Sequence, residues 1–375
     1  MKITSLELTN YRNYKTAELS FHPDINLFLG ENAQGKTNLL ESLYVLALTR
    51  SHRTHKEKEL IYFGEENAKI YGTVEKQTTT LQVEITLTNN GRKTKVNHIE
   101  QKRLADYIGK LNVILFSPED LAIIKGSPSI RRRFLDMEIS QISSIYLYDL
   151  MQYQTILKQR NAYLKQMIEQ KKAGKTPDEL YYEILSEQLA SFGAKIIYSR
   201  LIFVEKLEKW ANLLQSSISG QCEHLKLNYS SSFPLPKELT VEKIEEVFMQ
   251  QLKNKRKHEL FVDTNSVGPH RDDLQFFVNN INIATFGSQG QQRTTVLALK
   301  LAEIDLIHEK TGEYPLLLLD DVMSELDNKR QTQLLQTIFG KTQTFITTTI
   351  LKHLNQAPIK GKILTISNGE IEIKE

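Results

Sequence analysis

The pattern of apolar and polar positions divides the chain into three stretches. In the first, residues 69–74 and 81–87 alternate with a period of two, which is typical of strands. From about residue 129 to residue 257 the apolar positions follow helical spacing. After Phe261, short apolar runs alternate with helical segments. The pattern therefore predicts β-rich, α-helical and α/β stretches in that order.

Individual elements can be placed from the same pattern, with turn residues as boundaries. Ile3, Leu6 and Leu8 pair with Leu19 and Phe21 in two predicted strands. The helical stretch predicts long helices at 129–172 and 178–217 and a shorter one at 239–257. Further predictions are strands at 25–29, 315–320 and 343–347, helices at 38–48, 289–311 and 331–339, and hairpins at 89–91, at 279–280 and at the end of the chain.

The first and last stretches each predict an incomplete sheet. The economical solution is one α/β domain built from residues 1–125 and 261–375, with an antiparallel β subdomain and flanking helices on a mixed sheet. Residues 126–260 then form an inserted α-helical domain.

Residues 30–37 read Gly-Glu-Asn-Ala-Gln-Gly-Lys-Thr, a complete P-loop between a predicted strand and a predicted helix. The loop's backbone N–H groups would surround phosphates, and the helix dipole would favour the anion. Lys36 is predicted to reach the β- and γ-phosphates, and Thr37 to bind Mg²⁺. The predicted nucleotide contacts are Gly30, Glu31, Asn32, Ala33, Gln34, Gly35, Lys36 and Thr37.

Two further motifs carry chemistry. The run of four leucines before Asp320 predicts a buried strand whose last residue is a carboxylate at the ligand-binding edge of the sheet. Asp320 would hold Mg²⁺ with Thr37, and Asp321 would orient or deprotonate a water molecule. Ser288, Gly290 and Gln291 open a predicted helix that could be a second anion-binding N-terminus or an ordinary capped helix.

Composition narrows the class of protein. The 375 residues include 48 Lys and Arg against 45 Asp and Glu, a mildly basic balance that neither requires nor excludes nucleic acid. A single cysteine excludes an internal disulfide and a cysteine-based zinc site. The first residues alternate like a strand without a long apolar h-region, and no apolar run reaches 18 residues, so we expect a cytoplasmic protein without membrane spans.

The order of these motifs resembles the ABC-type ATPases, in which Ser288 and Gly290 would be the signature motif and residues 324–327 the D-loop. More narrowly, the chain resembles the RecF family of SMC-like ATPases across its whole length. The stretches that carry this resemblance, besides the motifs above, are 8–14, 116–121, 131–136 and 268–274.

The resemblance implies an ATP- and Mg²⁺-dependent homodimer, with two ATP molecules held between the P-loop of one protomer and the signature motif of the other. It implies binding to double-stranded DNA and to single-strand/double-strand junctions, weak DNA-stimulated ATP hydrolysis, and work with RecO and RecR. The expected outcome is loading of RecA in recombinational repair, replication restart and the response to DNA damage. It also places Arg12 near the phosphates.

The sequence departs from related ATPases at three points. Residues 116–120 contain no Q-loop glutamine, residues 345–349 contain threonines where a switch histidine would stand, and Asp321 replaces the usual glutamate. These departures together predict slow turnover.

Several features stay open between two interpretations. Basic clusters at 50–58, 131–133 and 253–257 could contact DNA phosphates or form solvated faces. Residues 270–273 could be functional or form a buried ion-pair network. Alternative functions are an ATPase subunit of another ABC-type assembly, such as a permease, and a nucleotide-dependent phosphotransferase.

Overall fold

The computed structural model describes residues 1–324, 326–349, 361–367 and 369–374. Its strands are β1 Lys2–Tyr11, β2 Tyr14–Ser20, β3 Ile25–Leu29, β4 Asn67–Glu75, β5 Thr80–Thr88, β6 Gly91–Val96, β7 Ile99–Glu100, β8 Val113–Phe116, β9 Leu225–Ser230, β10 Asp273–Val278, β11 Ile281–Asn282, β12 Leu316–Asp320, β13 Thr344–Thr348, β14 Gly361–Ser367 and β15 Glu370–Lys374. Its helices are α1 Lys36–Leu48, α2 Leu104–Tyr107, α3 Leu121–Lys125, α4 Pro128–Ile142, α5 Ser144–Lys172, α6 Glu179–Ser219, α7 Val241–Val262, α8 Ile283–Phe286, α9 Gln289–Thr311 and α10 Asn328–Ile338.

The chain forms two compact units. The first contains Met1–Leu121, Trp210–Glu223 and Arg293–Glu375, and the second contains Ala122–Lys209 and His224–Gln292. Residues 261–292, which the sequence analysis assigned to the ATPase domain, thus pack within the second unit. The predicted boundaries of the ATPase domain and of the inserted domain stay a prediction.

The first unit contains two six-stranded sheets. One is mixed, in the order β15-β14-β3-β13-β12-β8, and all its pairs are parallel except β14 with β15. The other is antiparallel throughout, in the order β2-β1-β4-β5-β6-β7. This mixed sheet and antiparallel subdomain confirm the predicted fold class.

Helix α1 is buried on nearly all sides. It contacts β12 and β13 of the mixed sheet and β4 and β5 of the antiparallel sheet. The close approach to β4 depends on Gly72, where a Cβ atom would lie 2.8 Å from the Leu46 side chain. Burial between two sheets explains why the run from Leu39 to Leu48 is apolar all round rather than along one stripe.

The second unit corrects two predictions. The stretch 129–172 is two helices, α4 and α5, because the Ser143 side chain accepts a hydrogen bond from the Tyr146 N–H and starts a new helix there. The block predicted to be helical also contains strand β9, which pairs with β10 in a three-stranded antiparallel sheet. Leu225, Leu227 and Tyr229 alternate with polar residues, so the strand signal was present in the sequence.

Buried arginines join the helices of the second unit. The Arg200 guanidinium donates to Asp136, to the Tyr146 hydroxyl and to the Pro269 carbonyl. Arg160, which is fully buried, donates to Glu259 at 2.9 Å. A buried guanidinium is costly unless its donors are satisfied, so these contacts hold α4, α5, α6 and α7 in one arrangement.

Gly193 marks the closest packing among these helices. It lies in the middle of α6, where a Cβ atom would be 2.4 Å from Cε1 of Phe248 and 3.1 Å from the Tyr153 ring. The Phe248 ring is fully buried and stacks on Phe233 at 5.0 Å between centroids, so it has no room to move away.

Gly193→Ala should therefore destabilise the protein, although alanine normally stabilises a helix interior relative to glycine. We expect the free energy of unfolding to fall by about 1–3 kcal/mol because the methyl group overpacks a dense contact. The measurement is urea denaturation followed by far-ultraviolet circular dichroism. Phe248→Leu made in the Gly193→Ala background should recover part of the loss. A stabilised Gly193→Ala variant would contradict the packing argument.

Candidate nucleotide-binding site

The P-loop is braced from two sides. The Tyr14 hydroxyl donates to the Gly35 carbonyl at 3.0 Å, and the Gly369 N–H donates to the Gln34 carbonyl at 3.1 Å. Gly35 has a φ of 115° and could not carry a side chain, because a Cβ atom would lie 2.6 Å from the Asn13 amide nitrogen. Gly30 is equally constrained, at 2.3 Å from the Ile366 carbonyl oxygen. The loop's shape is thus set by the β1–β2 turn and by the C-terminal hairpin.

The Lys36 ammonium group lies inside the loop. Its Nζ donates to the carbonyl oxygens of Gly30 and Glu31, each at 2.6 Å. Burial lowers the pKa of Lys36, while the carboxylates of Asp321 and Asp320 oppose that shift. A cation held at the mouth of a backbone cradle is suited to bind the terminal phosphates of a nucleotide. The remaining predicted loop residues, Asn32, Ala33 and Gln34, lie on the same turn, with Asn32 and Ala33 exposed.

Thr37 of α1 and Asp320 of β12 are joined by a hydrogen bond. The Thr37 hydroxyl donates to Oδ1 of Asp320 at 3.0 Å. Asp320 is the last residue of β12, and Thr37 is in the first turn of α1, which follows β3. Strand β13 lies between β3 and β12, so Asp320 contacts the P-loop helix from two strands away.

These two oxygens fit the magnesium ion that the sequence predicts. Mg²⁺ usually takes one or two protein oxygens and completes its octahedron with phosphates and water. Thr37 and Asp320 would hold it beside Lys36, where it would neutralise charge on the phosphate oxygens. The pKa of Asp320 is raised by burial, an effect opposed by hydrogen bonds from Thr347 and Thr37.

Asp321 has an unusual backbone. Its φ is 53°, in the left-handed region, and the residue is exposed. Its N–H donates to the Thr347 hydroxyl at 2.8 Å. This left-handed residue follows directly after Asp320, the last residue of β12.

Arg12 contacts α1 rather than the loop. Its guanidinium forms two hydrogen bonds with the Glu41 carboxylate, both at 2.8 Å, and donates to the Glu59 carbonyl at 2.7 Å. Ser51 also donates to Glu41, at 2.5 Å. Burial would raise the pKa of Glu41, but the bonds from Arg12 and Ser51 outweigh it and hold that pKa below its usual range. A nucleotide contact by Arg12 stays a prediction.

Sequence reasoning missed Glu41. A carboxylate within the apolar run of α1 was the available signal, because a fully buried charge requires a partner. It also missed the connection from Arg53 to α1 and to the β1–β2 turn. Arg53 donates to the Asn38 side chain at 2.8 Å, and Asn38 donates to the Asn13 side chain at 2.9 Å.

Ser288 opens α9 with a reciprocal cap. The Gln291 N–H donates to the Ser288 hydroxyl at 3.2 Å, and the Ser288 N–H donates to the Gln291 side chain at 3.1 Å. Ser288 is exposed, and Gly290 follows in the first turn of a 23-residue helix. The three residues thus form an accessible helix N-terminus in the second unit.

The D-loop region is described in part. The Ser324 hydroxyl donates to the Asp321 carbonyl at 2.7 Å, and Asp327 caps α10 by accepting from the Arg330 N–H at 2.9 Å. Glu325 lies outside the described residues. In the segment 116–120, the Ser117 N–H donates to the Asp120 carboxylate at 2.8 Å, which makes a capped turn after β8.

The basic clusters differ in how much charge they present to solvent. Arg131 binds both oxygens of Asp273, and Arg132 donates to the Asp272 carbonyl, so these two arginines are internal contacts of the second unit. The other two clusters expose most of their charged side chains. The exposed residues include Arg50, Arg53, Lys56, Lys58, Lys253, Lys255 and Lys257.

Residues 270–273 make hydrogen bonds within the second unit, in which Asp272 is buried and Arg271 is exposed. The Tyr153 hydroxyl lies 2.6 Å from Nδ1 of His270, and burial lowers the pKa of His270 to about 4. Asp272 accepts from the Tyr229 hydroxyl at 2.6 Å and from the Ser232 N–H at 2.7 Å. Of the two interpretations left open for this motif, these contacts favour the structural one.

Comparisons with known proteins cover nearly the whole chain. A family model described as the RecF/RecN/SMC N terminal domain matches residues 2–372. The chain is 59% identical over 374 residues to the DNA replication and repair protein RecF of Enterococcus faecalis, with 99% of each chain covered. It is 52% identical over 372 residues to the protein of the same description from Streptococcus gordonii, covering 99% of this chain and 100% of the relative.

A comparison with solved structures indicates the same family as these relatives do. A structure of the recombination mediator protein RecF with ATP, from the RecFOR pathway, superposes with a TM-score of 0.91 at 36% identity, covering 100% of this chain and 98% of that one. An SMC head bound to the C-winged helix domain of ScpA has a TM-score of 0.56 at 15% identity, which is a likeness of fold alone. The chain belongs to the RecF family of DNA replication and repair proteins, with the α/β fold of SMC-like ATPases.

Proposed function

We propose that this protein is an ATP-dependent recombination mediator. ATP would drive two copies together on double-stranded DNA and on gapped DNA or single-strand/double-strand junctions. Slow hydrolysis would release the dimer, and the complex would help load RecA together with RecO and RecR during recombinational repair and replication restart. Because the proposed substrate is DNA, we expect the protein to act in the bacterial cytoplasm.

One observation carries the nucleotide part of the proposal. Lys36, Thr37 and Asp320 come together at one edge of the mixed sheet, in a chain whose RecF relative was solved with ATP. Lysine in the loop would bind the β- and γ-phosphates, and the hydroxyl and carboxylate would hold Mg²⁺. The phosphoryl group would be transferred to water, so this scheme needs no second substrate as an acceptor.

Asp321 is our candidate to orient or deprotonate the attacking water. It is exposed, and it follows the metal-binding Asp320 through a left-handed turn. Water would attack the γ-phosphorus as the bond to the ADP oxygen breaks, and the water's proton would pass to the carboxylate or to bulk solvent. An aspartate is shorter than the glutamate of many related ATPases, which supports slow turnover.

The dimer part rests on the exposed start of α9. N–H groups at a helix N-terminus bind anions, and Ser288, Gly290 and Gln291 form such a terminus, at which Ser288 is exposed and Gly290 carries no side chain. We propose that this terminus completes the nucleotide site of a second copy by contacting its γ-phosphate. ATP would then be part of the interface.

DNA binding is proposed at the exposed segment 50–58. Arg53 joins this segment to α1 through Asn38, so a phosphate contact there would be mechanically connected to the P-loop. Lysine and arginine contacts of this kind read backbone charge and shape rather than base sequence. The internal contacts of Arg131 and Arg132 make the cluster at 131–133 a weaker candidate.

Two other functions fit less well. An ATPase subunit of another ABC-type assembly, such as one coupled to a permease, would carry a Q-loop glutamine and a switch histidine, which this sequence lacks. Within the described residues, no helix is long and apolar enough to cross a membrane. A nucleotide-dependent phosphotransferase would leave the motif at Ser288 without a role.

Lys36→Arg should keep nucleotide binding and lose hydrolysis. The larger guanidinium keeps the charge but cannot take the ammonium position against the Gly30 and Glu31 carbonyls. We expect kcat to fall about 100-fold or more, the size typical of losing one donor to the transition state. Steady-state ATP hydrolysis and ADP binding by calorimetry are the measurements. Lys15→Arg, on an exposed strand position, is the control and should behave as wild type.

Ser288→Arg should abolish ATP-driven dimerisation while each monomer still binds ATP. Arginine removes the cap and places a bulky side chain over the helix N-terminus. Ser288→Asp separates these effects, because aspartate restores the cap but repels a phosphate. Sedimentation velocity with and without ATP is the measurement, and Gln154→Arg on the exposed face of α5 is the control. Normal dimers of both Ser288 variants would refute the shared-site proposal.

Replacing Arg50, Lys56 and Lys58 with alanine should weaken binding to gapped duplex DNA in the presence of ATP. The slope of log K against log salt concentration should become shallower by about one unit for each DNA phosphate that the variant no longer neutralises. The same change at Lys253, Lys255 and Lys257 tests the other exposed cluster, and a loss confined to that variant would contradict the assignment to segment 50–58. A flat slope for the wild-type protein would remove the DNA proposal altogether.

A further inference from the structure

Thr347 occupies the centre of the mixed sheet, directly beside both halves of the candidate metal site. It lies on β13, opposite Asp320 on β12 and opposite Phe28 on β3. It is 1% exposed, so its hydroxyl has no access to bulk solvent. A buried hydroxyl must find its hydrogen-bond partners within the protein.

The Thr347 hydroxyl donates one hydrogen bond and accepts another, and its two partners are Asp320 and Asp321. Oγ1 donates to Oδ1 of Asp320 at 2.9 Å. The same oxygen accepts from the Asp321 N–H at 2.8 Å. One side chain therefore holds the carboxylate of Asp320 and the backbone of Asp321 at the same time.

The first bond orients Asp320. Oδ1 accepts from Thr37 on one side and from Thr347 on the other, which fixes the rotation of the carboxylate. Oδ2 is then directed by the two donors rather than by solvent. Side chains that orient a metal-binding carboxylate in this way set how well the ligand is presented to the ion.

The second bond supports a left-handed backbone. Asp321 is not glycine, and its φ of 53° lies in the left-handed region, which is costly for most L-residues and which aspartate tolerates better than most. The bond from its N–H to Thr347 helps to hold this conformation. A β-branched threonine on a strand has a restricted χ1 angle, so the hydroxyl itself is fixed in place.

We propose that Thr347 is a positioning residue for nucleotide hydrolysis, which couples the orientation of the magnesium-binding Asp320 to the turn that presents Asp321. The inference rests on the proposed ATPase function and deepens it. Thr347 touches neither nucleotide nor water in this scheme and acts through the two carboxylate residues. Thr347 lies within residues 345–349, where related ATPases carry a switch histidine, and it would orient these two residues instead.

The test compares three variants of the full-length protein. Thr347→Val keeps the shape and removes the hydroxyl, whereas Thr347→Ser keeps the hydroxyl and removes the methyl group. Thr344→Val is the matched control, because Thr344 lies on the same strand, is also 1% exposed, and bonds to Thr342 rather than to Asp320. Circular dichroism confirms that each variant is folded.

The first readout is ADP binding by calorimetry, with Mg²⁺ and with EDTA, and the second is kcat for ATP hydrolysis. For Thr347→Val we expect the gain in ADP affinity given by Mg²⁺ to shrink, and kcat to fall, each by about 10–100-fold. Binding of ADP in EDTA should stay within about twofold of wild type. Thr347→Ser should restore both quantities, and Thr344→Val should change neither.

Two results would overturn the inference. One is a Thr347→Val protein with wild-type Mg²⁺ dependence and kcat, and the other is an equal loss in Thr344→Val, which would indicate strand packing alone. Both leave the proposed function intact. A wild-type protein that hydrolysed no ATP in the presence of Mg²⁺ would instead refute the proposed ATPase and this inference together.

Discussion

The burial of α1 between two sheets is the constraint on which the rest of the first unit depends. The helix contacts the mixed sheet and the antiparallel sheet, so its N-terminus, and with it the P-loop, is held in place by both. This position requires the fully buried Glu41 carboxylate to be satisfied, and Arg12 and Ser51 do so. The arginine that the family resemblance places near phosphates thus has a structural task in this arrangement.

The same burial concentrates charge at the edge of the mixed sheet. Lys36 and Asp320 are both buried there, and hydrogen bonds from Thr37 and Thr347 keep the Asp320 carboxylate oriented. Electrostatic interactions are stronger in such a region than in water, so small changes in orientation have large effects. The second unit is built differently, since the buried guanidinium groups of Arg160 and Arg200 join its helices through internal hydrogen bonds.

Membership of the RecF family connects these features to DNA replication and repair. The exposed N-terminus of α9, the Thr37–Asp320 pair and the left-handed Asp321 are the features on which the proposed contacts with a second copy, a metal ion and a nucleotide rest. The exposed basic segment at 50–58 is joined to α1 through Arg53 and Asn38. A ligand on that segment would therefore be connected to the P-loop helix through the contact between these two side chains.

Local chemistry by itself determined the P-loop, the strand that ends at Asp320, the capped start of α9 and the helical character of the middle of the chain, because each depends on neighbouring residues and a short period. The alternation of strand β9 was present in the sequence, but only its pairing with β10, more than 40 residues away, decides that it forms a strand. Only the tertiary structure decided that Arg12 binds Glu41, that Arg131 and Arg132 turn inward, and that Thr347 joins Asp320 to Asp321. Those contacts connect residues far apart in the chain, and burial, which the sequence does not state, decides which partner each charge or hydroxyl takes.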